Sequence, residues 1–483
     1  MEGDVLDSAA AGGLLIRGGA IRFAGFVAAV GLSVISAAVL TRYLGVGRFG
    51  QYTTVMSLVF VVAVITDAGM SNIGIREYTV LREEERQAMM RELLGLRVTL
   101  TLVGALLVTI FAVAAGYHAP FVIGAVAASL ATVALVFQHT LSIPLTTDLR
   151  LGVLSALELA RQALYVGGIV VLAAVGAGVL PLLSIPLPVN LVLIAPTALL
   201  VRGRISARPA LHPRAWRPLL RATVVFSLAT AVGTIYVYTA QILTSLIASR
   251  YESGLFAVSF RVFIVSASVP GLLVGAALPV LSRAARDDLD RLAYALQRIF
   301  EIALVAGVGA ALVMSAGSHF IVTAIAGARY APAGPVLEIQ AFAMIFSFVV
   351  AGWSFALLSL RIHRGLLACN AAALLVSVVL TPVLAASDGA QGVAIATVAA
   401  ETTLAAGALI ALVRSRPSYR PQLRSAVKVV LAGGCAAAAA FAPSMPSLVR
   451  AVVAGFVYAA IIVATGALPA ELKELVRLPR PSP

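Results

Sequence analysis

Long apolar runs follow one another along almost the whole chain, and short polar segments separate them. Most runs hold about 20 residues, which is the length that an α-helix needs to cross the roughly 30 Å hydrocarbon core of a bilayer. The pattern predicts about fourteen membrane-spanning helices, at 21–42, 51–73, 95–116, 119–141, 154–178, 181–201, 222–248, 254–281, 299–316, 336–360, 365–386, 389–413, 426–442 and 447–467. The predicted fold is therefore an all-α, polytopic membrane protein.

The composition agrees with a membrane protein. Hydrophobic residues make up 61% of the chain, charged residues only 12%, and the mean hydropathy is +1.01. A soluble domain is closer to half apolar and a quarter charged, because its surface must be covered by polar side chains. The first apolar run, from about Phe23 to Leu40, is too long for a signal-peptide core, so we expect it to be an uncleaved span.

Basic residues predict the orientation of the helices. If the N-terminus is cytoplasmic, 29 of the 35 Lys and Arg residues fall on the inside, and the six outside are Arg42, Arg48, Arg250, Arg261, Arg329 and Arg450. Positive charge marks the cytoplasmic side of a multi-pass protein. We therefore expect a cell (inner or plasma) membrane protein with both termini in the cytoplasm. The net charge of +14 is dispersed over loops beside anionic lipid headgroups, so nucleic acid is not an expected partner.

A short repeat suggests that the chain is built from two related halves. Each copy has Arg-Tyr at a predicted outer helix end and then Gly-x-aromatic, as in RYLGVGRFGQY from Arg42 and RYESGLF from Arg250. Two related bundles are the usual frame of an alternating-access transporter, although aromatic residues also recur at membrane interfaces simply as anchors. The predicted domains are an N-terminal lobe at 1–201, a basic cytoplasmic linker at 202–221, a C-terminal lobe at 222–413, an extra helix pair at 426–467 and a cytoplasmic tail at 468–483.

Four parts of the sequence carry a family resemblance. They are LGVGRFGQYTTVMSL from Leu44, DAGMSNIGIREY from Asp67, SRYESGLFAVSFR from Ser249, and the pair GARYAPAGPVLEIQAF from Gly327 and DGAQGVAIATVAAE from Asp388. In this order they resemble the polysaccharide-transporter family of lipid-linked oligosaccharide flippases, within the multidrug/oligosaccharidyl-lipid/polysaccharide (MOP) exporter superfamily. The resemblance implies two six-helix lobes around a central cavity, with two extra helices at the C-terminus.

The same resemblance implies a function. The expected activity is to flip a polyprenyl-pyrophosphate-linked oligosaccharide from the cytoplasmic to the outer leaflet, by alternating access, for surface polysaccharide assembly. The implied partners are membrane lipids and the lipid-linked glycan, and glycosyltransferases and a polysaccharide polymerase are candidate protein partners. No catalytic residue and no cofactor are needed for this movement.

Two other functions stay open from the residues. One is a multidrug or peptidoglycan-precursor (lipid II) exporter of the same superfamily. The other is a membrane glycan polymerase or ligase, which would need a large outer loop with catalytic residues, whereas the predicted outer loops are short. The sequence has no Walker motif, no HExxH and no Ser/His/Asp cluster. The chain is therefore not expected to be an enzyme. Cys369 and Cys435 lie in apolar runs and the five histidines are scattered, so neither a disulfide framework nor a metal site is expected.

Intramembrane polar residues are the candidates for contact with cargo, because a charge at the bilayer midplane costs about 2.5–3.5 kcal/mol on insertion scales. Arg261 lies about 10 Å along predicted helix 8, and its planar guanidinium suits pyrophosphate, although a buried pair with a carboxylate is the alternative. Arg22 in helix 1 would be the inner-facing partner in the other lobe, or would snorkel to headgroups. A polar stripe on helix 7 suits either sugar hydroxyls or helix–helix hydrogen bonds, and it comprises Tyr236, Tyr238, Gln241 and Thr244.

Other charged residues are candidates for gates and for ion coupling. Three arginines at the outer rim would form an exit gate or bind lipid headgroups, namely Arg42, Arg48 and Arg250. At the cytoplasmic end of helix 2, a carboxylate and an arginine would pair and latch the inner gate, from the set Asp67, Arg76 and Glu77. Glu401, near the middle of helix 12, and Glu301, in the first turn of helix 9, would carry a coupling proton or sodium ion, or pair with an arginine. The stretch 82–97 is predicted to be an amphipathic surface helix before helix 3.

Overall fold

Every regular element in the described part of the chain is a helix. A computed structural model describes residues 9–67, 69–148, 150–206, 208–287, 289–416, 419, 421, 423–441 and 445–467. The contacts divide the chain into two compact units, unit 1 (Met1–Ala231) and unit 2 (Val232–Pro483). The predicted tail at 468–483 lies outside the described residues.

Unit 1 is formed by the first eight helices and the start of the ninth. They are α1 (Ala9–Asp67), α2 (Met70–Val80), α3 (Glu83–Ala114), α4 (Ala119–Leu141), α5 (Ile143–Thr147), α6 (Leu151–Ala174), α7 (Val179–Ser184), α8 (Pro186–Leu200) and α9 (Pro213–Ile247). Helix α1 packs along α6, α3 and α4, and α4 also packs on α8. The core at one end of this bundle is built from large aliphatic side chains of α2, α3, α5 and the segment after α8, such as Leu93, Leu96 and Leu145.

Unit 2 contains the rest of α9 and eight further helices. They are α10 (Arg250–Asp287), α11 (Leu289–Ala316), α12 (Ser318–Ala326), α13 (Gly334–Gln340), α14 (Ala343–Ser359), α15 (His363–Ser415), α16 (Leu423–Phe441) and α17 (Ser447–Ala464), with a 3-10 helix at Ala328–Ala333. Helix α14 packs against α10, α11 and α15. The C-terminal helices α16 and α17 pack on each other and on α11, where the Tyr458 hydroxyl donates a 2.8 Å hydrogen bond to the carbonyl of Val305.

The longest helices in each unit are broken at a glycine. Gly45 in α1 has φ 70° and Gly389 in α15 has φ 55°, a region that glycine adopts without the steric cost that other residues meet. The predicted change from one helix to the next between 42 and 51 coincides with the break at Gly45, where one glycine turns the chain and the residues on both sides stay helical. The predicted change from one helix to the next near 387–388 coincides with the break at Gly389.

The described helices agree with a protein that crosses a membrane many times. Nine of them are long and apolar enough to span a bilayer, and the pair Ala328–Gln340 and Ala343–Ser359, bent by 49°, makes a tenth. Two of the nine, α1 and α15, carry the glycine breaks and so hold two apolar segments each. Two shorter apolar helices, Ala231–Ile247 and Ser425–Phe441, add to these. The all-α, multi-pass prediction is confirmed, and the described helices are consistent with fourteen crossings.

The segment that follows α8 is held against the start of α3. The predicted surface helix at 82–97 is continuous with α3, and its Arg91 carbonyl accepts a 2.9 Å hydrogen bond from the backbone N–H of Ala210. Glu92 contacts His212 Nδ1 at 2.5 Å and accepts a 3.1 Å hydrogen bond from Trp216 Nε1. A Cβ atom on Gly95 would lie 1.8 Å from the carbonyl oxygen of Ala210, so only a glycine allows this approach.

An ion pair with a buried arginine joins the end of α1 to α3. Arg97 is only 2% exposed, and its Nη2 donates to Oδ1 of Asp67. The same carboxylate oxygen accepts a 2.7 Å hydrogen bond from the Ser71 hydroxyl, one turn further along the chain. Because a guanidinium removed from water needs an opposite charge, this contact fixes how α1, α2 and α3 meet.

Replacing Gly95 with alanine should destabilise unit 1. The added Cβ would overlap the Ala210 carbonyl, and overpacking of this kind costs about 1–3 kcal/mol. Thermal unfolding of the detergent-solubilised protein should therefore begin several degrees lower for Gly95→Ala. The matched control is Gly167→Ala in α6, where no atom lies within 4 Å of the new Cβ. Equal melting temperatures for the two variants would contradict the close approach.

Removing one partner of the Asp67–Arg97 pair should cost more than removing both. Asp67→Ala leaves a buried guanidinium without its carboxylate, which costs about 3–5 kcal/mol, whereas an apolar replacement of the whole pair is often nearly neutral. We expect Asp67→Ala to melt well below the double variant Asp67→Leu/Arg97→Met. The control is Arg76→Ala, which breaks the pair with Glu77 in which the arginine is 67% exposed, and it should have little effect. Asp67→Leu and Arg97→Met as single variants complete the double-mutant cycle, and strict additivity in that cycle would rule out the coupling.

Candidate functional site

Unit 1 contains two adjoining cavities between α1, α2, α4, α5 and α6. The smaller has a volume of about 250 Å³ and the larger about 460 Å³, and three residues line both, namely Thr146, Leu154 and Glu158. The lining of the smaller cavity mixes polar residues with leucine and isoleucine. Together the two cavities have the size and character of a small-molecule site. We call them the unit 1 cavity.

Arg161 of α6 is the central cation of this cavity. Its side chain is 15% exposed, and its Nη1 lies 2.8 Å from Oε2 of Glu158, one turn earlier on the same helix. Its Nη2 donates a 2.7 Å hydrogen bond to Oε1 of Gln138 on α4. The Gln138 amide in turn donates a 3.0 Å hydrogen bond to the hydroxyl of Thr197 on α8. Glu158 thus offsets the charge of Arg161. The guanidinium group connects α6 to α4, and Gln138 extends this connection to α8.

His139 adds a titratable ring to the same cavity. It follows Gln138 near the end of α4, and its ring is exposed to the cavity. The charges of Arg161, Arg97 and Asp67 are close enough to interact with the ring. In the part of the chain that the structure describes, the ring has no hydrogen-bond partner. A neutral imidazole offers one donor and one acceptor, so His139 is available to a bound polar group.

Unit 2 contains a buried carboxylate held by hydroxyl groups. Glu401 of α15 is 7% exposed, and it accepts hydrogen bonds from the Tyr236 hydroxyl at 2.7 Å and from the Ser347 hydroxyl at 2.8 Å. No Lys or Arg of the described residues pairs with it. Only neutral groups hold this buried carboxylate. Its charge state therefore affects how the surrounding helices pack.

The predicted polar stripe on α9 is divided between two roles. Tyr236 contacts Glu401, and Gln241 donates a 3.1 Å hydrogen bond to the Ser253 hydroxyl on α10, so these two residues join helices. Tyr238 is half-buried, packs its ring edge-on against Phe260 at 5.8 Å, and lies within electrostatic reach of Arg261. The structure therefore brings Tyr238 and Arg261 together, and the Arg261 side chain is exposed on α10.

The other predicted site residues are dispersed. Arg42, Arg48 and Arg250 are exposed, and the Arg22 side chain lies outside the described residues. Arg76 pairs with its neighbour Glu77 at 2.6 Å, whereas Asp67 pairs with Arg97. Glu301 accepts hydrogen bonds from Gln297, Arg298 and Ser425. Its expected place in a first helical turn is wrong, because α11 begins at Leu289 rather than at 299.

Sequence reasoning missed the polar residues of unit 1. The orientation count places Arg97 and Arg161 on the cytoplasmic side although both lie within predicted spans, and it gives no signal for His139, Gln138 and Glu158. Glu158 and Arg161 lie three residues apart inside a predicted span, and an (i, i+3) pair of opposite charges in an apolar helix is a usable signal for a buried site. The contacts of Arg97 and Gln138 join distant parts of the chain and leave no such local pattern.

Solved structures with this fold are membrane transporters. Lipid II flippase MurJ, in an inward closed conformation, matches with a TM-score of 0.76 at 13% identity, covering 95% of this chain and 99% of that one. An inward-facing multidrug resistance MATE family transporter of the MOP superfamily matches with a TM-score of 0.63 at 14% identity, covering 79% and 93%. A MOP superfamily transporter from Pyrococcus furiosus matches with a TM-score of 0.59 at 13% identity, covering 83% and 95%. At these identities the likeness shows the fold alone.

No curated protein matches the chain in sequence. The family model described as "polysaccharide biosynthesis protein" matches residues 39–335, which is more than half of the 483 residues. This span includes most of unit 1, with all lining residues of the smaller cavity, and the segment of α10 that carries Arg261. The chain therefore belongs to the polysaccharide biosynthesis protein family and has the fold of the MOP transporter superfamily.

Proposed function

We propose that this MOP-type flippase moves a polyprenyl-pyrophosphate-linked oligosaccharide from the cytoplasmic to the outer leaflet of the cell membrane, for surface polysaccharide assembly. The observation that carries the proposal is the family match over residues 39–335. Membrane lipids and a lipid-linked substrate are the partners that such a flippase requires. The proposal includes cytoplasmic termini and alternating access between two lobes, and it assigns no catalytic residue.

The physical task of a flippase explains the polar groups inside these helices. A glycan pyrophosphate cannot cross hydrocarbon, whereas its polyprenyl tail remains in it, so the protein must offer the head a polar path. Buried charges in membrane-spanning helices are costly and therefore point to function. Unit 1 carries the largely buried Arg161 beside a cavity, together with its partner Glu158, which supports the handling of a polar head.

Arg261 is the residue we assign to the pyrophosphate. It lies on α10 with an exposed side chain, and an arginine donates two parallel hydrogen bonds to phosphate oxygens. Tyr238 beside it is assigned to the same headgroup. Arg22 is the proposed cationic counterpart in the first helix, and three exposed arginines are assigned to the outer gate, namely Arg42, Arg48 and Arg250. For the inner gate we retain Arg76 and Glu77, with Asp67 holding Arg97.

Arg261→Ala should abolish export while the protein remains in the membrane. Loss of a bidentate phosphate contact should lower surface glycan by about tenfold or more, and Arg261→Lys should restore it only in part, since an ammonium is a point charge. The measurement is surface glycan by flow cytometry, with membrane abundance by immunoblot, in cells whose only copy is the variant.

The matched control for this experiment is Arg329→Ala, which removes an exposed arginine from the 3-10 helix of the same unit. It should leave surface glycan unchanged. Normal export by Arg261→Ala would discard the assignment of Arg261. If Arg261→Ala kept normal glycan export but lost drug resistance or lipid II transport, the cargo would be another substrate of the superfamily.

Glu401 is the proposed coupling residue. Two hydroxyl donors, Tyr236 and Ser347, hold its carboxylate without a cation. Gaining or losing a proton there would change the charge of a buried site and therefore bias the packing of α9, α14 and α15. Glu301 is the weaker candidate, because Arg298 already pairs with it at 3.0 Å.

Glu401→Gln should uncouple transport from the proton gradient. Glutamine keeps an oxygen that accepts from Tyr236 but does not titrate. In proteoliposomes, an imposed pH gradient should accelerate glycan translocation by the unsubstituted protein, and the variant should stay at its rate without a gradient. Glu301→Gln, which removes a carboxylate from a paired site, should still respond to the gradient. A full response by Glu401→Gln would exclude this residue as the proton carrier.

A further inference from the structure

We propose that the unit 1 cavity binds the sugar portion of the cargo, as a subsite for a neutral, hydroxyl-bearing ring. The inference rests on the proposed function, because it assumes that the cargo carries a glycan. It differs from the assignment of Arg261, which concerns the pyrophosphate.

The charge balance of the cavity favours a neutral ligand. Arg161 gives Nη1 to Glu158 and Nη2 to Gln138, and the nearby Arg97 gives Nη2 to Asp67. Each guanidinium therefore has its own carboxylate, and the local charges cancel while His139 is neutral. A pyrophosphate in this cavity would have to compete with those carboxylates, whereas a sugar would not.

The hydrogen-bonding groups suit hydroxyls, which both donate and accept. The His139 ring offers a donor and an acceptor, and Glu158, whose side chain is 51% exposed, offers an acceptor. The buried Nε of Arg161 has no hydrogen-bond partner in the described part of the chain. An unsatisfied buried donor is destabilising, so a ligand oxygen or a water placed there is stabilising.

The walls and the size of the cavity fit a sugar ring. Side chains of Leu151, Leu154 and Leu157 on α6 and of Ile75 and Ile143 on the facing helices provide apolar surface for the C–H faces of a ring. The shared lining joins volumes of about 250 and 460 Å³. Small-molecule sites occupy about 300–1,000 Å³ and combine apolar walls with a few polar groups in this way.

The test compares two probes that differ only in the sugar. One is the lipid-linked glycan extracted from source cells that lack this chain, and the other is the same polyprenyl pyrophosphate without sugar. Binding of each to the full chain in nanodiscs is measured for the unsubstituted protein and for His139→Leu and Thr146→Val. Thr146→Val is nearly isosteric and removes one hydroxyl that lines both cavities, so it guards against misfolding of the histidine variant.

We expect both variants to bind the glycan-bearing probe about fivefold to tenfold more weakly and to bind the sugar-free probe unchanged. The matched control is His118→Leu, at the opposite end of α4 and exposed, which should bind both probes normally. Unchanged glycan binding by the variants, or an equal loss for both probes, would overturn the sugar subsite. If the unsubstituted protein bound neither probe, the proposed function itself would fail, and this outcome is separate from the others.

Discussion

The low dielectric of the bilayer is the constraint on which the rest of this structure depends. A charge within a spanning helix must find a partner inside the protein, since water is not available to solvate it. Unit 1 meets this demand with two pairs, Arg97 with Asp67 and Arg161 with Glu158. Unit 2 meets it at Glu401 with neutral hydroxyl donors. These contacts fix which helices lie together and where polar surface is left to face a cavity.

Hydropathy predicted the fold well because the bilayer imposes one length and one composition on each spanning helix. The hydropathy pattern does not show which single residue decides the path of the chain between two helices. Gly45 turns the chain with one positive φ angle, so no polar loop marks the change from one helix to the next. Likewise, the amphipathic stretch at 82–97 merges into α3, because nothing in it stops a helix. The repeated Gly-x-aromatic pattern is a packing feature in both units, since Tyr52 and Phe256 are buried.

The candidate site was less accessible to sequence reasoning, for a physical reason. Asp67 and Glu401 stand out as acids within apolar runs, but their partners are set by contacts between helices that are distant in the chain. Counting basic residues for orientation places Arg97 and Arg161 on the cytoplasmic side and gives no sign of their ion pairs inside the helix bundle. The sequence identifies Tyr236, Tyr238 and Gln241 as polar residues of one helix. Only the packing shows that Tyr236 and Gln241 bond to other helices. Tyr238 instead lies beside Arg261.

The pairing of charges also suggests how recognition of one cargo is divided. A buried arginine that already pairs with a carboxylate cannot bind pyrophosphate without giving up that pair, which is costly in a medium of low dielectric. We assign the anionic part of the cargo to arginines on exposed helix faces, such as Arg261, and the neutral sugars to the charge-balanced unit 1 cavity. In such a division the carrier phosphate is common to many substrates, whereas the cavity lining varies with the glycan. Specificity for the glycan would then reside in neutral residues such as His139 and Thr146, which charge-based searches of a membrane protein sequence pass over.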